Sequence, residues 1–311
     1  MRTLLARLSG SVCLLALMGM PALAQNQDFS KVEVTATKVA GNIYMLQGAG
    51  GNIGVSVGSD GLLIVDDQFA PLANKIHAAL RGLSPASLKF VLNTHWHGDH
   101  TGGNASFSTE APIIAQENVR KRMSTDQTVF GEKTPASPKE ALPVITFDDK
   151  LSVHFNGEEI KVVHFPAGHT DGDSVIFFTG SNVVHMGDDF FAGRFPFVDI
   201  GSGGSVQGMT DAVAKVLAQL PADVKIIPGH GPLSTKADLE SYHHMLVTTT
   251  GLVEKQRKAG KSLAEIQKAG LPDEWKEWGS GFIKTDMWLS FIYESLDKGA
   301  HGQKPVDGKH H

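Results

Sequence analysis

Short apolar runs broken by glycine and asparagine set the pattern of the first third of the chain. Residues 32–37, 43–46, 53–57 and 62–65 read as strands of this kind, each bounded by turn formers. Over 70–82 the period changes: apolar positions recur every three to four residues, which predicts a helix. A compact apolar run over 88–93 predicts a short buried strand, and 116–123 a second helix. Residues 124–143 are polar and proline-bearing and read as a long loop, a feature that compact domains usually keep for function. The second half repeats the scheme, with strands over 151–155, 160–165, 174–179 and 182–185, a helix over 206–220 and a strand over 225–227. Beyond Pro232 the pattern turns helical, with helices over 237–259, 262–269 and 285–296. Strands followed by helices, twice over, predict two sheets packed face to face with helices outside. No sharp linker interrupts 25–297, so this stretch reads as one domain whose C-terminal helical segment starts near 235; 298–311 reads as a flexible polar tail.

The first 24 residues have another character. Arg2 and Arg7 precede a mostly apolar stretch over 11–20 that is too short to cross a bilayer, and Ala22-Leu23-Ala24 supplies small residues at a cleavage point. This is the layout of a signal peptide cut after Ala24, so the expected location is periplasmic or secreted, without a membrane anchor. The one cysteine of the 311-residue chain, Cys13, falls inside that leader. A mature chain of 287 residues, 24 fewer than 311, then holds no thiol. It can form no disulfide, and its metal ligands must be histidine or carboxylate. Loss of the two leader arginines moves the formal charge from −5 to −7. An acidic chain without basic runs is a poor nucleic-acid binder, so a small-molecule substrate is the expected partner. None of these features sets the oligomeric state.

The densest chemistry is Thr94-His95-Trp96-His97-Gly98-Asp99-His100-Thr101-Gly102-Gly103, directly after the strand predicted over 88–93. Three imidazoles and a carboxylate so close together make a ligand set for zinc and similar divalent metals. Side chains two apart in an extended segment point the same way, so His95 and His97 suit one ion while Asp99 and His100 face a second. A polar surface loop with coincidental histidines is the alternative. Three later strand ends carry the same residue types: His169 in Ala167-Gly168-His169-Thr170, Asp188 in Met186-Gly187-Asp188-Asp189, and His230 in Pro228-Gly229-His230-Gly231. Asp171, Asp173 and Asp189 flank these positions and suit either a turn or the fixing of an imidazole tautomer. Asn93 and Thr94 are placed to brace the first loop. His154, His164 and His185, inside predicted strands, read as structural or surface groups, and His243 and His244 as solvated. Trp96, Phe190, Phe191, Phe195 and Phe197 lie next to the candidate ligands at the expected mouth of the site, with Arg194 among the last four. They read as core packing or as an apolar substrate pocket with one cation for a carboxylate, with Trp96, Phe191 and Arg194 its candidates. The Gly48–Asn52 stretch reads as a flap or a hairpin turn.

Together, the HxHxDH run and the three later sites resemble the metallo-β-lactamase-fold hydrolase superfamily, over about 34–232. The resemblance implies an α+β fold, a four-layer αβ/βα sandwich with extra C-terminal helices and a binuclear metal site at the sheet edge. It also implies that His95, His97 and His169 hold the first metal, that Asp99, His100 and His230 hold the second, and that Asp188 bridges both. Two zinc ions are the expected cofactors, and iron or manganese suits the same donors. The implied activity is hydrolysis of a lactam, lactone, ester or thioester by a hydroxide shared between the metals, with Asp99 as the catalytic residue handling its proton. The most familiar secreted β-lactamases of this superfamily have a cysteine where this chain has Asp188, so the pattern is closer to glyoxalase II or lactonases. Against glyoxalase II stand the export signal and the lack of an evident basic glutathione-binding set in the C-terminal helices. A true metallo-β-lactamase and an iron-bearing redox protein on the same fold are the alternatives.

Overall fold

The computed structural model describes residues 28–301; the segment read as a signal peptide and residues 302–311 of the expected tail lie outside the described residues. Along the chain, β1 (Thr35–Ala40), β2 (Ile43–Gln47), β3 (Ile53–Gly58) and β4 (Gly61–Val65) form an antiparallel meander. Helix α1 (Ala73–Leu83) then carries the chain to β5 (Leu88–Leu92), which pairs parallel with β4. Two single-turn helices, α2 (Gly98–Thr101) and α3 (Asn104–Phe107), lead to β6 (Ile113–Gln116) and α4 (Glu117–Met123). A hairpin of β7 (Gln127–Val129) and β8 (Glu132–Thr134) precedes β9 (Ile145–Phe147), which closes the first sheet in the order β1-β2-β3-β4-β5-β6-β9.

The second sheet is β10 (Lys150–Phe155), β11 (Glu158–His164), β12 (Ser174–Phe178), β13 (Val183–His185), β14 (Lys225–Ile227) and β15 (Ser234–Thr235) in sequential order. Helix α5 (Val206–Leu217) makes the crossover between β13 and β14, which are parallel. Helices α6 (Lys236–Lys258), α7 (Leu263–Ala269) and α8 (Thr285–His301) follow.

Alternation along the strands builds the layers. In β4, Leu62 and Ile64 face α1 in one apolar cluster, while Leu63 and Val65 face the other sheet in a second cluster. That second cluster joins Ile43, Met45 and Leu92 of the first sheet to Ile160, Val162, Ile176 and Phe178 of the second, and is the sheet-on-sheet core. On the outer face of the second sheet, Val175 and Val184 meet Val213, Tyr242, Leu246, Trp288 and Ile292 of the helices. The result is the four-layer αβ/βα sandwich with added C-terminal helices. The metal-ligand residue types sit where β5, β12, β13 and β14 end or connect, on one edge of this sandwich.

Three differences from the sequence reading are informative. First, β6 and β9, of four and three residues, are absent from that reading: β6 runs straight into α4, and β9 follows the proline-bearing segment read as a loop. Second, the segment 124–143 contains the β7–β8 hairpin, whose strands are polar and half or fully exposed, so no apolar alternation marks them. Third, α8 runs to His301, past the end expected at 296 and into the segment read as a tail. Among the described residues no helix is long and apolar enough to cross a membrane.

Candidate metal centre

The seven predicted ligands converge. His95 and His97 leave the end of β5, and His97 caps α2, whose first turn carries Asp99 and whose last carries His100. His169 lies in the β11–β12 loop, Asp188 in a 3-10 turn (Gly187–Asp189) after β13, and His230 after β14. Their ligand atoms fall into three overlapping groups, His95/His97/His169, His95/His100/Asp188 and Asp99/His100/His230, each with its atoms within 4.8 Å of one another. Asp188 lies between them. Its Oδ1 is 3.1 Å from His100 Nε2, and its Oδ2 is 3.4 Å from His230 Nε2, 3.5 Å from His169 Nε2 and 3.9 Å from His95 Nε2.

Glycines make the crowding possible. A Cβ on Gly229 would lie 2.0 Å from Asp188 Oδ1, and a Cβ on Gly51 would lie 2.1 Å from the His100 ring. The Gly48–Asn52 turn is therefore packed on the site rather than poised as a free flap. Gly51 N–H donates to the Asp99 carbonyl at 3.0 Å and Asn52 N–H to the Gly229 carbonyl at 2.8 Å.

The outer ring nitrogens of His95, His97, His100 and His169 are committed as donors. His97 Nε2 donates to Asp199 Oδ2 at 3.0 Å, His100 Nδ1 to Asp66 Oδ2 at 2.7 Å, and His169 Nδ1 to the Phe197 carbonyl at 2.8 Å. Thr94 Oγ1 gives its proton to Asp66 at 2.7 Å and so accepts from His95 Nδ1 at 3.0 Å. A neutral imidazole that donates outward presents a lone pair inward. His97 Nδ1 and His169 Nε2 face each other at 2.8 Å, and His95 Nε2 is buried without a hydrogen-bond partner. A bound cation would reconcile this convergence of lone pairs, so the residues fit a binuclear metal site.

The electrostatics agree. Burial pushes His95 well below the usual histidine value and His169 down to about 4, which keeps both rings neutral and ready to ligate. At the second group, burial works against charge, but Asp188 and Asp99 outweigh it. They hold His230 up at about 9 and His100 well above its ordinary value. Burial likewise opposes ionisation of Asp188 and Asp99, and the neighbouring histidines overcome it, so both carboxyls stay well below the usual range. In the absence of metal, the ring protons of His100 and His230 supply the positive charge that the carboxylates require. Asp99 and His230, at 28% and 22% side-chain exposure, form the open side of an otherwise buried cluster.

The flanking residues sort themselves by contact. Asp173 accepts from Thr170 N–H at 2.7 Å and from its hydroxyl, and Asp189 Oδ1 accepts from His169 N–H at 3.2 Å, so both shape the loop that carries His169. Burial raises both carboxyls, Asp189 to about 7, so the adjacent pair keeps a proton near neutrality. Asp171 instead accepts two hydrogen bonds from Arg122, each 2.6 Å. Asn93 pairs with Asn104. His185 is buried and ties Asn52 to Gly187, His164 bonds the Asp173 carbonyl, and His154 is exposed.

Of the three pocket candidates, Trp96 is buried with Val119, Met123 and Ala141, its ring 4.6 Å from that of His97. Phe191 stacks on His230 at 5.1 Å, and Arg194 is half-buried. Phe190 and Phe195 are core, packed on Tyr242 and Trp288. Sequence reasoning missed Asp66 and Asp199. Asp66 had a signal, a carboxylate closing the wholly apolar strand β4; Asp199 lies in an irregular segment with none.

A family model described as the metallo-beta-lactamase superfamily matches residues 36–230, from the first strand to the last of the seven predicted ligands. The chain belongs to the metallo-beta-lactamase superfamily. Within it, the buried His/Asp clusters of this chain are consistent with a binuclear metal site. It is 29% identical over 160 residues to a probable hydroxyacylglutathione hydrolase of Schizosaccharomyces pombe, spanning 50% of this chain and 53% of that one. It is 35% identical over 143 residues to the hydroxyacylglutathione hydrolase of Halorhodospira halophila, spanning 46% and 47%. The chain thus spans about half the length of these curated relatives. Among solved structures, the DIM-1 metallo-beta-lactamase superposes with a TM-score of 0.57 at 18% identity, covering 70% of this chain and all of that one. The sec-alkyl sulfatase PisA1 (as a double mutant) superposes with a TM-score of 0.63 at 15% identity, covering 88% of this chain and 52% of that one. At those identities the likeness is one of fold alone.

Proposed function

We propose that this protein is an exported binuclear zinc hydrolase that opens carboxylic ester or thioester bonds. The observation that carries the reading is the place of Asp188, one carboxylate between two histidine clusters in a site that contains no thiol. In this reading His95, His97 and His169 hold one ion, Asp99, His100 and His230 hold the other, and Asp188 bridges them. The hydroxyacylglutathione hydrolase relatives, named for cleaving an acyl thioester, support the choice of bond. The basic, apolar and small-residue order of the first 24 residues supports export.

The chain's own residues supply the rest of the chemistry. Bound zinc would polarise the acyl oxygen and make water acidic near neutral pH. Asp66, Asp199 and the Phe197 carbonyl lock the ring orientations, so the donors need no rearrangement during turnover. Asp99 stands at the open side with its carboxylate 3.3 Å from His230, placed to take the proton of the attacking water and pass it to the leaving group. His95, His97 and His169 are buried, which keeps bulk water from that side of the site.

The test is hydrolysis of acyl thioesters and aryl esters by the zinc-loaded protein, with and without chelator, beside a chromogenic cephalosporin. Chelator-sensitive turnover of the esters or thioesters is expected. Turnover of the cephalosporin alone would overturn the reading in favour of a β-lactamase.

A further inference from the structure

The hairpin of β7 and β8 ends in a two-residue turn, Phe130-Gly131, with both residues at positive φ (52° and 79°). Such a turn favours asparagine or glycine at its first position, and a bulky side chain there is strained. Phe130 is nevertheless present and 42% exposed, which hydrophobic burial does not explain. Its ring stacks on Phe197 at 4.3 Å and 28°, and Phe197 in turn stacks on His97 at 5.6 Å and 26° and meets His169 edge-on at 5.4 Å. Phe130 is therefore one ring removed from two of the proposed metal ligands. The other exposed phenylalanine among the described residues, Phe282 at 50%, meets Phe130 edge-on at 5.5 Å. Phe282 comes from the segment before α8, where Gly281 packs against Arg194. Two parts of the chain far apart in sequence thus bring solvent-exposed aromatic rings together beside the metal centre.

We propose that Phe130 and Phe282 form an apolar wall that receives the apolar part of the substrate, and so select esters or thioesters bearing an aliphatic or aromatic group over short polar ones. This rests on the ester and thioester reading of the site. Exposed apolar surface one ring away from a proposed metal site suits a small-molecule site: apolar area holds the substrate, and few polar groups orient it. Each methylene laid on the wall adds roughly threefold to kcat/KM until the wall is covered.

The experiment compares p-nitrophenyl acetate, butyrate, hexanoate and octanoate, and thioesters extended on the acyl or on the thiol side, on zinc-loaded wild type, Phe130→Asn and Phe282→Ala. Phe130→Asn suits the turn better than phenylalanine does, so it preserves the hairpin while removing the ring. The wild type is expected to show rising kcat/KM with chain length. Both variants are expected to flatten that rise about tenfold or more at octanoate, mainly through KM. The side on which extension helps identifies whether acyl or leaving group lies on the wall. A length dependence that both variants leave intact, or none in the wild type, overturns the proposal. Calorimetric binding of octanoate against acetate gives a second readout. Preference for octanoate that Phe130→Asn abolishes supports the wall even if no ester or thioester is turned over, an outcome that would overturn the proposed reaction alone. Equal binding of both anions by wild type and variants would sink the wall.

Discussion

His100 donates its Nδ1 proton to Asp66 Oδ2 at 2.7 Å, with both side chains fully buried. Asp66 holds this position at a φ of +65°, and it also accepts from the backbone and hydroxyl of Thr94 at 2.8 and 2.7 Å. One carboxylate thus orients His100 directly and His95 through Thr94, which links the two halves of the centre. Replacing it with asparagine keeps the volume but removes the charge. Asp66→Asn is expected to weaken metal binding about 10- to 100-fold, the usual effect of losing a group that fixes a ligating imidazole. Competition with a coloured chelator reads this out, and two ions held at wild-type affinity would refute it.

Asp188→Ala removes the carboxylate that lies within 4 Å of four imidazoles. Activity is expected to vanish and bound metal to fall below two per chain, while circular dichroism keeps the folded signature, because the cores on both sheets are untouched. Asp99→Ala should also abolish activity and lower metal content. Full turnover with two ions in Asp188→Ala would disprove the bridging role.

The parts of this fold that read clearly from sequence are those with a sustained period. Strands β2 to β4 and helix α6 are long enough to show whether two or 3.6 residues separate apolar positions. The convergence of the seven proposed ligands was legible for another reason: imidazoles and carboxylates at strand ends are costly to bury without a cation, so their clustering is informative. Asp199 was not legible, since its contact to His97 spans 102 residues and follows from how the β13–α5 segment folds back. Phe130 and Phe282 were equally hidden. Their meeting depends on a polar hairpin and an irregular segment, neither of which has a pattern to read.

The metal-free protein should lose stability as pH rises from about 6.5 to about 9. His230 has a folded value of about 9 against an ordinary 6.5: burial opposes its charge, and Asp188 and Asp99 more than compensate. The folded state therefore holds the proton more tightly than the unfolded chain. That contribution is complete below about 6.5 and is lost as pH climbs through 9. A metal ion held by His230 would displace the same proton, so metal affinity should rise across this window with release of protons. Calorimetric Tm of the chelated protein at both ends of the window checks the first part. A higher Tm at the alkaline end would refute it.

Arg122 ties the hairpin to the loop that carries His169. Its guanidinium donates twice to Asp171, two residues beyond His169, and once to Gln127 Oε1 at 3.1 Å at the start of β7. Burial of the pair is partial, with side-chain exposures of 19% and 32%, so a bidentate contact of this kind contributes only about 1 kcal/mol to global stability. Arg122→Ala is thus expected to lower Tm by roughly 2–4 °C. Its larger effect is local. Without the tether, β7 and β8 have only each other as strand partners, and a two-stranded hairpin is marginal in water. Amide exchange over the hairpin should accelerate about tenfold or more, while metal content holds at two ions, since Arg122 touches no proposed ligand. Unchanged exchange in 127–134 would show that the remaining contacts, the Phe130 stacks on Phe197 and Phe282 and the Gln127 bond to the Arg122 carbonyl, hold the hairpin without the tether.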